Sequence, residues 1–183
     1  MVDRSGFQPQ PEAVGSSRWR IQLPDPMIEL TLFALLLVAN GSPVVLRMLT
    51  RRPRKWPVDR GLHLPDGQPL FGPSKSLPGL VVAVFATTFF SLVVGPSVAI
   101  GLLVGVFAML GDLLSSFVKR RLRLAPGASA IGLDQIPESL LPLLICKPLL
   151  GLAWTQVLFL TLAFIVANLL ISRVRQLARS RFT

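Results

Sequence analysis

Apolar runs broken by short polar and basic stretches set the pattern of this chain from Met27 onward. A bilayer core takes roughly 20 consecutive apolar residues as a helix. Five runs approach that length, at about Met27–Leu49, Leu80–Val94, Val98–Val118, Ile136–Leu152 and Trp154–Ile171. In lipid every backbone polar group has to be satisfied within the segment, so such runs read as helices. The predicted fold class is an all-α integral membrane protein, a bundle of about five transmembrane helices whose cytoplasmic loops form the site. Asn40-Gly41-Ser42-Pro43 predicts a kink or an unwound second half in the first helix. The short Gly95-Pro96-Ser97 link makes the second and third helices an antiparallel hairpin, and Pro142 with Lys147-Pro148 predicts a bend in the fourth.

The polar segments supply the orientation. Residues 1–26 are polar and dotted with Pro9, Pro11, Pro24 and Pro26, which predicts an irregular tail. The run that follows is too long and too far into the chain for a typical signal peptide, so no cleavage is expected. Residues 50–77 carry Arg51, Arg52, Arg54, Lys55, Arg60 and Lys75 with Asp59 and Asp66. Dense turn signals at Pro57, Gly61, Asp66-Gly67 and Gly72-Pro73 predict structured irregular backbone there. A second basic loop runs from Lys119 to Gln135, and the C-terminus adds Arg173, Arg175, Arg179 and Arg181. The positive-inside rule places both loops and the C-terminus in the cytoplasm. The expected organisation is an outer tail over 1–26, a membrane domain over 27–172 and a basic cytoplasmic end over 173–183. The expected location is a bacterial inner membrane.

Composition narrows the classes. The chain of 183 residues is 51% hydrophobic and 15% charged, which excludes an ordinary soluble domain. A net charge of +10 would suggest nucleic acid in a soluble protein. Here the cations gather between apolar runs, where they set topology and meet anionic headgroups, so no nucleic-acid partner is expected. The single cysteine, Cys146, allows no disulfide within the chain. His63 has no second His or Cys near it in sequence and reads as a solvated loop residue. Tyrosine is absent, which leaves Trp19, Trp56 and Trp154 as interfacial anchors.

One acidic residue stands inside the third run. An Asp at the centre of a spanning helix costs about 2.5–3.5 kcal/mol on insertion scales, so Asp112 calls for a partner or a task. At helical spacing Gly101, Gly105, Ala108, Asp112, Ser115 or Ser116, Lys119 and Arg123 fall on one stripe, small at first, then polar, then cationic. That stripe reads as the wall of a site for an anion. Its Gly101-x-x-x-Gly105 spacing also permits close helix pairing within the chain or in a homodimer. Asp112 and Asp134 flank the second loop, and two such carboxylates suit Mg²⁺, which takes one or two protein carboxylates plus phosphate oxygens and water. Lys119, Arg120, Arg121 and Arg123 supply phosphate contacts. Lys75-Ser76 follows a Gly-Pro-Ser turn, a place where backbone N–H groups and a lysine meet phosphate. Together these features suggest phosphoryl or nucleotidyl transfer, with a small transporter or channel and a non-catalytic anionic-lipid-binding protein as the competing classes.

The ordered set of motifs resembles the CTP-dependent membrane cytidylyltransferases of the CDP-diglyceride synthase group, and most closely the CDP-archaeol synthase family with its bacterial relatives. The wider group's signature is matched by Gly111-Asp112, Ser115 or Ser116, Lys119-Arg120, Pro126-Gly127 and Leu133-Asp134-Gln135. Upstream, Ala39-Asn40 with Pro43-Val44, Pro57-Val58-Asp59-Arg60-Gly61, and Asp66-Gly67 through Gly72-x-x-Lys75-Ser76 resemble the smaller family's elements in the same order. The resemblance implies transfer of CMP from CTP to a lipid phosphate in phospholipid biosynthesis, with release of pyrophosphate. It implies Asp112 and Asp134 as Mg²⁺ ligands, Asp112, Asp134 and Lys119 as catalytic, and Asn40, Asp59, Asp66, Lys75, Ser76, Ser115, Ser116 and Arg120 as substrate-binding. The expected partners are CTP, a lipid phosphate and membrane lipids. The chain departs from the family pattern at Leu77-Pro78-Gly79, at Ile136-Pro137-Glu138, which stands where a second acid usually comes soon after Leu-Asp-Gln, and at Phe164, where a His usually precedes Asn168 by four residues.

Overall fold

A computed structural model describes residues 26–50, 56–94, 97–125, 130 and 132–180, with side chains to 174. Among these residues the backbone forms five α-helices: α1 (Pro26–Thr50), α2 (Leu77–Val94), α3 (Val98–Arg121), α4 (Gln135–Leu150) and α5 (Trp154–Ser180). Four of them, α1, α2, α3 and α5, are long and apolar enough to cross a membrane. With 16 residues, α4 spans about 24 Å, short of a roughly 30 Å hydrocarbon core. Its first turn lies beside the end of α3, and at the far end Gln156 of α5 donates to Glu29 in the first turn of α1.

Helix α3 is the centre. Of its apolar window 44% is buried, against 22% in each of the other three spans. Small residues allow this. A Cβ on Gly101 would stand 2.3 Å from Cβ of Ser91, and one on Gly105 would stand 3.1 Å from Cα of Val84, so α2 packs on α3 through bare backbone. The Gly101-x-x-x-Gly105 pair thus serves a contact within the chain. Between α3 and α4 the approach is closer, since a Cβ on Gly111 would meet the Pro137 carbonyl oxygen at 2.2 Å. The core contains Leu35 and Leu36 of α1, Val104 of α3, Leu143 and Cys146 of α4, and Leu160 and Phe164 of α5, all buried. Phe85, Phe89, Leu158, Phe159 and Val166 point outward to where lipid would be.

The second half of α1 does not unwind. The helix is continuous through Pro43. Only one backbone donor is lost there, and Asn40 binds back to the Leu36 carbonyl at 3.0 Å, keeping the turn closed. Pro142 and Pro148 likewise stay within a continuous α4. The Gly95-Pro96 turn, the 1–25 tail, Arg51, Arg52, Arg54, Lys55, Pro126-Gly127 and residues 181–183 lie outside the described residues.

Residues 56–76 form a folded loop on one end of the bundle. Pro57 pairs with Ser76 and His63 with Pro69 as isolated antiparallel bridges. Asp59 organises the loop by accepting from the N–H groups of Gly61 (3.1 Å), Phe71 (3.0 Å) and Gly72 (2.7 Å). Gly72 adopts φ +85°, a conformation a side chain would strain, and this turns its N–H to Asp59. Burial pushes the Asp59 carboxyl up, but the donors from Gly72, Phe71 and Gly61 outweigh it and hold the group below the ordinary carboxylate range.

Candidate functional site

A cavity of about 540 Å³ opens at the loop end of the bundle. Every helix contributes to its wall: Asn40, Pro43 and Arg47 from α1, Gly79 and Leu80 from α2, Met109 and Asp112 from α3, Glu138 from α4 and Asn168 from α5, with Ser74, Lys75 and Ser76 from the loop. The folded loop is what delivers Lys75. Its carbonyl accepts from Val58 at 3.0 Å and its N–H donates to Gly72 at 3.3 Å, which fixes the backbone over the end of α3. The ammonium then donates to Asp112 Oδ1 as an ion pair. Asp112 therefore finds a cation in the folded loop, 37 residues away in the chain.

A second pair lies beside the first. Lys119 Nζ stands 2.7 Å from Asp134 Oδ1, joining the end of α3 to the start of α4. Glu138, one turn into α4, faces the Asp112 carboxyl, with Lys75 and Asp134 also in its field. Gly111 makes this possible, because any side chain there would push Pro137 and Glu138 away from α3. Ser115 and Ser116 do not face the cavity. Each hydroxyl donates to the Asp112 carbonyl at 2.9 Å, bracing the turn that carries the acid. Thus Lys75, Asp112 and Glu138 from the loop, α3 and α4 share one part of the cavity wall, with the Lys119–Asp134 pair behind it at the α3–α4 junction.

The remaining sequence candidates hold the surroundings. Asn40 and Ser76 line the cavity beside Lys75. Asp59 serves the loop backbone, as described above. Asp66 pairs with Arg121, which also donates to the Pro69 carbonyl at 2.7 Å and lies over the Phe117 ring. Arg120 is buried at 2% exposure, donates to the Ala125 carbonyl at 3.0 Å and packs along Gly72. Its placement ties α3 to both loops and away from the cavity wall. Arg123 is past the end of α3 with φ +56°. Glu138, named in the sequence where the family's second acid stands, is the acid in the first turn of α4 and lines the wall. Arg47, the basic residue in the last turn of α1, was not singled out from sequence, and its mark is a charge at the edge of an apolar run.

Whether this end of the cavity suits a divalent cation depends on its donors. Among the described residues no three His, Cys, Asp or Glu side chains are gathered as a metal cage. Mg²⁺ seldom uses one, since one or two carboxylates and substrate phosphates hold it. Asp112 and Asp134 supply hard oxygen ligands, with Glu138 adjacent. Asp134 Oδ1 is buried and touches Lys119 as an ion pair, without an aligned hydrogen bond. The set fits a cation that replaces lysine as the counter-charge.

Comparison with known proteins gives a consistent picture. The model of the CDP-archaeol synthase family (CarS-like) matches residues 86–178. A CDP-archaeol synthase of Saccharolobus islandicus is 32% identical over 142 residues, covering 74% of this chain and 82% of the relative. One of Sulfurisphaera tokodaii is 38% identical over 121 residues, covering 61% of this chain and 69% of the relative. A solved structure of an intramembrane enzyme for archaeal membrane lipid biosynthesis superposes with a TM-score of 0.63 at 28% identity, over 78% of this chain and 91% of that one.

Proposed function

The chain belongs to the CDP-archaeol synthase family, and from that premise we propose that it transfers CMP from CTP to a lipid phosphate. The product is a CDP-activated lipid for phospholipid synthesis, and pyrophosphate leaves. One observation carries this reading: Lys75 from the loop meets Asp112 of α3 at the wall of a cavity that every helix helps to build. Paired charges at a membrane-helix end, fed by a folded polar loop, form a place where a triphosphate exchanges with carboxylates for the same lysines.

In this mechanism Lys75 and Lys119 turn from Asp112 and Asp134 to the triphosphate oxygens. As compact point charges they offset the charge that grows on the leaving group. A lipid phosphate oxygen forms a bond to the α-phosphorus of CTP, and the bond from that phosphorus to the bridging oxygen breaks, leaving its electrons on pyrophosphate. Asp112 and Asp134, freed of their lysines, would hold Mg²⁺, which when bound neutralises phosphate oxygens and aligns the triphosphate. Ser115 and Ser116 keep the Asp112 turn rigid while this exchange occurs. We place the loop end toward the cytoplasm, where CTP is, in keeping with the basic residues of both loops.

The test is direct. Purified protein in detergent is given CTP labelled at the α-phosphate, Mg²⁺ and a panel of ether- and ester-linked lipid phosphates. Labelled CDP-lipid with matching pyrophosphate is expected with at least one acceptor. No labelled lipid from any of them, by protein that still binds CTP, would overturn the reading.

A further inference from the structure

Among the described residues two ion pairs bind the 56–76 loop to α3. Lys75 reaches Asp112 in one of them. In the other, Arg121 in the last turn of α3 grips the tip of the loop. Its guanidinium pairs with the Asp66 carboxylate and donates to the carbonyls of Pro69 (2.7 Å) and Gln68 (3.4 Å). The same group lies 5.2 Å from the centre of the Phe117 ring, one turn back on α3. The gripped tip is itself closed, since Asp66 accepts from the Gln68 N–H at 3.0 Å and Leu64 donates to the Gln68 carbonyl at 3.0 Å. An isolated surface ion pair contributes little. A guanidinium fork that spans a carboxylate and backbone carbonyls above a ring fixes both position and direction.

Neither Asp66 nor Arg121 lines the cavity. The resemblance implied substrate binding by Asp66, whereas its carboxylate is engaged by Arg121 and the Gln68 N–H. From Asp112 to Arg121 is about 13.5 Å of rise along α3, so the loop is tied to the helix at two separate points. In the mechanism above Lys75 leaves Asp112 for the triphosphate, and the first tie is then broken. The Asp66–Arg121 pair is the ion pair that remains. The loop backbone connects it to Lys75: Asp59 fixes the N–H groups of Phe71 and Gly72, and the Lys75 N–H donates to the Gly72 carbonyl at 3.3 Å. We propose that Asp66 and Arg121 are positioning residues, whose clamp holds the loop on α3 while Lys75 exchanges Asp112 for the triphosphate. The ammonium then swings on a fixed backbone and finds Asp112 again when the nucleotide has gone. The proposal rests on the cytidylyltransferase reading and adds to it the part that keeps Lys75 within reach.

Loop position can be read without turnover, as the distance between nitroxide labels on Leu62→Cys and Leu122→Cys in a Cys146→Ala background; both labelled positions are exposed. With Asp66 and Arg121 intact, the distance distribution should stay narrow with and without CTP and Mg²⁺. In Arg121→Gln it should stay narrow without nucleotide, because Lys75 still holds Asp112, and broaden once CTP and Mg²⁺ are added. A bond that serves stability alone would broaden it in both conditions. Asp66→Asn leaves Arg121 its bonds to the Gln68 and Pro69 carbonyls and should show the same CTP-dependent broadening to a smaller extent. In steady-state assays Arg121→Gln should lower kcat about tenfold, with the KM for lipid phosphate at the parental value. Arg121→Lys keeps the charge without the fork and is expected to recover part of the loss. A parent that makes no CDP-lipid, alongside CTP-dependent broadening in Arg121→Gln, would sink the enzymatic reading and leave the clamp standing. Broadening in Arg121→Gln that is independent of CTP, or narrow distances in both conditions with a parental kcat, would overturn this proposal.

Discussion

Gly111→Ala tests the geometry of the carboxylate cluster most sharply, because the residue touches no substrate in the mechanism above. The added Cβ would stand 2.2 Å from the Pro137 oxygen, 2.5 Å from its carbonyl carbon and 2.8 Å from Glu138 Cα. All of these are backbone atoms, so no rotamer change relieves the clash. Cβ atoms essentially never approach within 3.0 Å, so the first turn of α4 must retreat from 2.2 to at least 3.0 Å, a shift of at least about 0.8 Å. Overpacking of this kind costs about 1–3 kcal/mol. The same shift carries Glu138 and Asp134 away from Asp112, and misplacement of about 1 Å in a reacting constellation costs on the order of a hundredfold in rate. The control is Gly101→Ala, whose Cβ would stand 2.3 Å from Ser91 Cβ at the α2–α3 contact. Its clash is as severe, but it lies at the other end of α3. Melting curves in detergent and turnover per folded molecule separate the two effects. Both variants should melt several degrees lower, and only Gly111→Ala should lose turnover by about two orders of magnitude. If both variants lose turnover alike, or if Gly111→Ala keeps the parental rate, the close α3–α4 approach does not position the reacting groups.

Other outcomes follow from the same geometry. Asp112→Asn should cut transfer by at least about a hundredfold and also lower the melting temperature, since it strands the Lys75 ammonium; adding Lys75→Ala should recover stability but no activity. Asp134→Asn should weaken Mg²⁺ dependence, so an unchanged Mg²⁺ titration would remove that residue from the metal role. The Asp59 carboxyl is held below its ordinary value in the folded protein. Its stabilisation is therefore complete above about pH 4 and is lost as pH falls through the folded-state value. Hydrogen exchange at the Gly61, Phe71 and Gly72 amides should be slow at pH 6 and accelerate beyond the intrinsic trend below that range, with Asp59→Asn exchanging fast at both. A cysteine at Gln68 in a Cys146→Ala background should resist an impermeant thiol reagent on intact cells; labelling there would reverse the proposed orientation.

Helix positions were legible from the order of residues because bilayer helices answer to a local rule. Each must present about twenty apolar residues to lipid, whatever its neighbours are. The five runs emerge as α1 to α5, with most ends shifted by three residues or fewer and α5 running nine residues past Ile171, although α4 falls short of a full span. The charged residues near the ends of those runs were legible too, since a charge beside hydrocarbon has few reasons to be there. Pairing was another matter. Lys75 and Asp112 are 37 residues apart, and nothing local distinguishes Lys75 from Lys119 or Arg120 as the partner of that acid. The choice follows from how the Asp59-centred loop folds back on the end of α3. Arg120 has the same charge and nearly the same place in sequence as Lys119, yet about 100° of helical rotation turns it toward Gly72. Pro43, read locally as a kink or an unwinding, sits in a continuous helix because one lost hydrogen bond costs less than unravelling α1 against α2. Glu138 reaches Asp112 only because Gly111 lets two backbones touch. Such contacts arise from packing register and from loop closure between distant segments. Both are properties of the assembled bundle, and neither leaves a periodicity in the chain.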